Sequence, residues 1–219
     1  MSLHFHREID RLKKKILGLS AIVEEDLQLA LRSLRTRDQQ LASRVISTDK
    51  EIDSIEIDIE EDCLKILALY HPVASDLRFI IAVLKMNNEL ERIGDLSKNI
   101  SKRAIRLSGQ DTLDVPAQID EIGNHTLVML KKALDALVNL DSASAREVCL
   151  LDDAVDALNK EIYGLIRDRL RETPENVETH LQLLFVARFL ERIADHVTNI
   201  AEDIVYLVGG EIIRHRDRM

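Results

Sequence analysis

Glu91 and Asp95 stand four residues apart in LERIGDLSKNI (90–100), and Glu191 and Asp195 repeat that spacing in LERIADHVTNI (190–200). Seven of these eleven positions are identical at an offset of 100 residues. On a helix, residues i and i+4 share a face, so each segment presents two carboxylates side by side. Two more acid pairs precede them, Asp49/Asp53, continued by Glu56 and Glu60, and Asp152/Asp156, where Asn159 and Tyr163 take the continuing places. Carboxylate oxygens are hard ligands that suit Mg²⁺, Ca²⁺, Mn²⁺ or iron. Without a cation, each such pair costs roughly 0.2–0.5 kcal/mol.

The spacing also predicts which pairs meet. Asp49 and Asp95 lie equally far from Pro72, and so do Asp53 and Glu91. Asp152 with Asp195, and Asp156 with Glu191, are likewise centred between Thr173 and Pro174. If each stretch is an antiparallel helical hairpin, its two acid pairs arrive at one height. Three readings account for that. The acids form a solvated face, or Arg92 and Arg192 compensate Asp95 and Asp195 at i, i+3, or a multivalent cation is bound. His196 adds a nitrogen beside the second set, though an ordinary groove histidine is the simpler reading.

Other chemistry is thin. No His has an acid three residues before it, so the ExxH motif of di-iron bundles is missing. The chain has no HExxH, no GxSxG and no glycine-rich phosphate loop. His4 and His6 are close enough to chelate, but they sit at a terminus that frays. The arginines of the closing EIIRHRDRM are most simply solvated.

The elements that must position these acids are helices. The 219 residues include 32% charged side chains, 3% aromatics, seven Gly, three Pro and no Trp, a composition that favours long amphipathic helices over sandwiches or barrels. Apolar stripes at helical spacing run through Phe5–Leu34, Ile52–Tyr70, Phe79–Leu107, Ile119–Leu137, Val148–Leu165 and Leu183–Leu207. Asp38 caps the second helix and His71-Pro72 ends it; Ser75 or Asp76 starts the third. Thr173 caps the last helix, with Pro174 in its first turn. Ser108-Gly109 to Pro116 reads as the linker. The expected fold is all-α, two tandem antiparallel three-helix bundles related by an internal repeat, at residues 1–110 and 111–219.

The net charge of −9 disfavours nucleic acid and favours cations or basic protein surfaces. Cys63 and Cys149, without a CxxC pair, read as buried free thiols, compatible with a reducing cytoplasm. The N-terminal MSLHFHREIDRLKKK has no signal-peptide apolar stretch, and no run of 18 apolar residues could span a membrane.

HPVASDLR (71–78), LERIGDLSKNI and LERIADHVTNIAEDI (190–204) together resemble the PhoU family, and the similarity covers about residues 5 to 208. The resemblance implies a cytoplasmic, non-enzymatic regulator of phosphate uptake that holds off the phosphate-starvation response. Its implied partners are the phosphate ABC transporter ATPase and the phosphate-sensing histidine kinase. A homodimer is the expected assembly, although no apolar stripe is left over to assign to it. The resemblance also implies metal clusters of iron, zinc, manganese or magnesium. Carried over by position, their ligands are Asp49, Asp53, Glu91 and Asp95, with Glu56 beside them, and Asp152, Asp156, Glu191 and Asp195. Asn159 and Tyr163 make the first set the more acidic. Two other classes stay open: a carboxylate-bridged metalloenzyme, which the missing ExxH opposes, and a structural bundle whose acids serve solubility.

Overall fold

Six apolar stripes become six α-helices: α1 (Leu3–Thr36), α2 (Gln39–Tyr70), α3 (Ala74–Ser108), α4 (Ala117–Asn139), α5 (Ser142–Glu172) and α6 (Val177–Gly209). A short 3₁₀ turn, Pro174–Asn176, precedes α6. The structure, a computed structural model, describes residues 3–109 and 115–213, and no strand occurs among them. The centre of the expected linker and the boundary at residue 110 lie outside the described residues, as does the end of the polar tail.

α1, α2 and α3 pack on one another, as do α4, α5 and α6. The expected stripe of α1 is wholly buried, from Phe5 through Leu12, Leu19 and Leu27 to Leu34. So are Ile52, Ile59, Cys63 and Ile66 of α2, and Val83, Met86, Leu90, Ile93 and Ile100 of α3. Each such aliphatic side chain contributes about 1.5–3 kcal/mol relative to exposure. Cys149, expected to be buried, is only partly so.

The repeat extends to backbone conformation. Asp38 Oδ1 accepts the N–H groups of Gln40 and Leu41 at 2.8 and 3.2 Å. Asp141, 103 residues later, accepts those of Ala143 and Ser144 at 2.9 and 3.1 Å. The residue before each cap is left-handed, Arg37 at φ 58° and Leu140 at φ 51°. Both hairpins therefore turn by one device, a left-handed residue followed by an Asx cap.

Two helix starts differ from expectation. α3 begins at Ala74 behind Val73, whose side chain gives no cap bond, and Asp76 lies in its first turn instead. Thr173 does not cap α6. Its hydroxyl and its N–H both bond back to Arg169 O, which closes α5 and leaves Pro174 to open the 3₁₀ turn.

The two bundles meet along α3 and α6, with a smaller contact between α1 and α4. Gly123 of α4 makes the latter close, because a Cβ there would lie 2.7 Å from Leu31 Cδ2. The α3–α6 seam is antiparallel and pseudo-symmetric. Lys85 pairs with Asp203 at 3.5 Å, and at the equivalent place the Arg103 guanidinium stacks 4.7 Å from the Phe185 ring centroid. Glu89 Oε2 takes His196 Nδ1 at 2.6 Å and Asn199 Nδ2 at 3.2 Å.

Candidate functional site: two carboxylate clusters

The α2/α3 hairpin brings Asp49 and Asp95 together as the spacing predicts, but around a residue that the pairing of acids did not single out. Lys98 Nζ lies 2.7 Å from Asp49 Oδ1 and 2.6 Å from Asp95 Oδ1. Burial pulls the Lys98 ammonium towards neutrality; its hydrogen bonds to the two carboxylates outweigh this and hold it above the usual lysine range. Glu91 is pushed up by burial and then by the charges of Asp95, Asp53 and Glu56. Glu56 is raised by burial, Glu60 and Asp53. Its Oε1 accepts Asn87 Nδ2 at 3.2 Å, and the same amide donates to Glu56 O at 2.9 Å. All five expected acids of this half thus share one electrostatic field, with Asp53 on its exposed side.

α1 adds a carboxylate that sequence reasoning missed. Asp26 is 3% exposed, and its Oδ2 has no hydrogen-bond partner. Burial, with help from Glu25 and Asp49 and against Arg44 and Thr48, lifts its carboxyl to about 7. In sequence it closes the run Glu24-Glu25-Asp26, which reads as a solvated face. Its one signal is its place three residues after Val23, on the buried side.

On α5/α6 the four expected acids also share one electrostatic field. Glu191 is pushed up by burial and by Asp195, Asp156 and Asp152, with Arg188 opposing. Asp195 is raised by burial, Asp152 and Asp156, with His196 and Arg188 opposing. Asp152 is buried and Asp195 lies at the exposed rim. Glu191 Oε1 accepts Arg188 Nη1 at 2.6 Å, whereas its Oε2 is buried without a hydrogen-bond partner. Among the described residues, no lysine is bonded to Glu191 or Asp195. The equivalent of Lys98 is Thr198, whose hydroxyl turns back to Ala194 O at 3.1 Å.

Arg92 and Arg192, the expected compensating cations, are exposed; Lys98 and Arg188 take that role. Both were legible as basic residues three positions from an acid on the same helix. His196 is buried, and its Nδ1 turns across the seam to Glu89. Among the described residues, no three His, Cys, Asp or Glu side chains stand close enough together to hold a metal ion. As they stand, neither cluster holds one, and the two differ in what lies among their acids. In α2/α3 an ammonium already lies between two of the carboxylates. In α5/α6 a buried carboxylate oxygen is left without a hydrogen bond among mutually repelling acids.

Comparison with known proteins places this geometry in a family. The PhoU domain matches twice, over residues 16–104 and 119–204, one match per bundle. The chain is 35% identical over 210 residues to the phosphate-specific transport system accessory protein PhoU homolog 1 of Thermotoga maritima, covering 95% of this chain and 90% of that protein. It is 33% identical over 215 residues to the phosphate-specific transport system accessory protein PhoU of Escherichia coli, covering 98% and 89%. The crystal structure of PhoU from Pseudomonas aeruginosa superposes with a TM-score of 0.92 at 34% identity, over 94% of this chain and 100% of that one. That of the phosphate transport system regulatory protein PhoU from Streptococcus pneumoniae gives 0.84 at 33%, over 95% and 99%. Two domain matches, full-length relatives and the same six-helix architecture make this chain a member of the PhoU family.

Proposed function

We propose that this chain is a non-enzymatic accessory protein of phosphate transport that holds down the phosphate-starvation response when phosphate is sufficient. The observation that carries the reading is its end-to-end similarity to proteins named as accessories of the phosphate-specific transport system. Its proposed partners are the transporter ATPase and the phosphate-sensing histidine kinase, met on the cytoplasmic side. No helix among the described residues is long and apolar enough to cross a membrane. We assign its working form as a homodimer, which sedimentation analysis tests.

The α5/α6 cluster is the proposed cation site, at which Asp152, Asp156, Glu191 and Asp195 would have to draw together around the ion, because no three of them stand close enough here. The orphan oxygen of Glu191 and the mutual repulsion of these acids support it. Oxygen ligands of this kind suit manganese, magnesium or iron. A bound ion would supply the local positive charge that an acidic protein otherwise lacks towards phosphate oxygens.

The test is complementation. In a bacterium deleted for its own PhoU, this chain should restore repression of a phosphate-starvation reporter in high phosphate, and it should co-purify the transporter ATPase. A reporter that stays on, with the protein expressed and folded, would sink the regulatory reading.

A further inference from the structure

The two units were built on one plan, and they treat the same acid pairs differently. In α2/α3 the Lys98 ammonium bridges Asp49 and Asp95 at 2.7 and 2.6 Å. This is not a loose surface pair: the Lys98 side chain is 19% exposed and that of Asp49 is 16% exposed. In α5/α6 the equivalent residue is Thr198, bonded to its own helix, and Glu191 instead takes Arg188, whose side chain is 59% exposed. The first unit also carries Asp26 where the repeat places Met129, so it holds both an extra acid and an internal base.

We propose that Lys98 is the resident cation of the α2/α3 cluster and that, with it in place, the residues there do not fit a metal ion. This statement is independent of the cation site proposed above. An ammonium donates three hydrogen bonds and carries one charge, and here it already takes an oxygen of each of two carboxylates. A divalent ion entering the same place would have to displace it and leave it buried beside a like charge, which disfavours entry. The greater acid count of the first unit therefore does not make it the better metal site.

The experiment follows Mn²⁺ binding by calorimetry to chelator-treated protein, together with thermal melting in EDTA and in Mn²⁺. Asp49→Asn should leave the response of the native chain to Mn²⁺ unchanged. Lys98→Thr, which copies the second unit, should gain Mn²⁺ binding that Asp49→Asn removes. In EDTA it should melt below the native protein, and Mn²⁺ should restore it. Lys98→Gln, which keeps the length without the charge, should gain binding as well if the threonine variant folds poorly; charge-retaining Lys98→Arg should gain none. Weakening of native Mn²⁺ binding by Asp49→Asn, or no gain in either neutral variant, overturns the proposal for Lys98. If the native chain binds no Mn²⁺ while Lys98→Thr does, the role of Lys98 stands and the α5/α6 site falls.

Discussion

A carboxyl lifted to about 7 in a helical protein is a statement about stability as well as about charge. Asp26 reaches that value chiefly because burial disfavours its ionised form. Its folded pKa lies above the unfolded value of 3.8, so the stability it contributes is fully present below 3.8 and is lost as pH rises through about 7. Asp26→Asn removes the ionisable proton while keeping an oxygen that can bond Thr48. The variant should be more stable than native at pH 8, by about 1–2 kcal/mol, and nearly equal to it at pH 4. Urea unfolding at the two pH values measures the difference. An equal shift at both would show that packing, not ionisation, governs the site. The same reasoning separates the two acid clusters. Neutralising a carboxylate beside Lys98 removes an ion pair, whereas neutralising Asp195 removes repulsion from Asp152 and Asp156.

The helices themselves carry the clearest record of the repeat. Gly94 lets α3 approach α2 so closely that a Cβ would sit 2.9 Å from Ile52 Cδ1. The second unit has Ala194 and Val155 at these positions, so a methyl group has moved from one helix to the other. Gly94→Ala and Ile52→Val should therefore be coupled. The double variant should be more stable than the two single effects predict, by about 1 kcal/mol in a double-mutant cycle. Additivity within error would show that the two helices do not read each other's volume at this point. The turns offer a second check. Leu140 holds φ 51° while 56% exposed, a conformation that costs a β-carbon residue about 1 kcal/mol and glycine almost nothing. Leu140→Gly should raise the melting temperature of the chain, and a lowered one would mean that the leucine side chain contributes more by packing than it costs in strain.

At the scale of the whole molecule, the seam between α3 and α6 decides whether the bundles act as one body. Its central polar contact joins Glu89 of one bundle to His196 and Asn199 of the other. Burial alone would raise the Glu89 carboxyl; the hydrogen bonds from His196 and Asn199, with the charges of His196 and Arg92, prevail and hold it below its usual 4.5. A depressed carboxyl contributes stability above its unfolded pKa and loses it as pH falls through the folded value. Glu89→Ala should thus destabilise the chain at pH 7 by about 1–3 kcal/mol, because it also strands a buried imidazole nitrogen. That deficit should shrink once the pH drops below about 4.5. Equilibrium unfolding of each variant across this range provides the measurement. A pH-independent deficit would assign the contact a packing role only.

The sequence by itself determined the six helices, their buried faces and the level at which Asp49 and Asp95 meet. These depend on local periodicity, and the 3.6-residue turn fixes them without knowledge of neighbours. Asp38 was legible as a cap because a cap acts on the two or three residues that follow it. The family was legible too, because HPVASDLR and the two ERI(G/A)D segments lie in continuous stretches. Only the tertiary structure decided what stands between the acids. Period places Lys98 on the flank of α3, but the choice among outward, Asp95 alone, or Asp95 and Asp49 together depends on the distance to α2. The depth at which Asp26 is buried depends on how α1 seats against its neighbours. The union of Glu89 with His196 depends on the docking of two bundles, between residues 107 positions apart in the chain. A stripe states which side of a helix avoids water; it does not state which charged groups of other helices will share the edge of that side, and the chemistry of this protein lies at those edges.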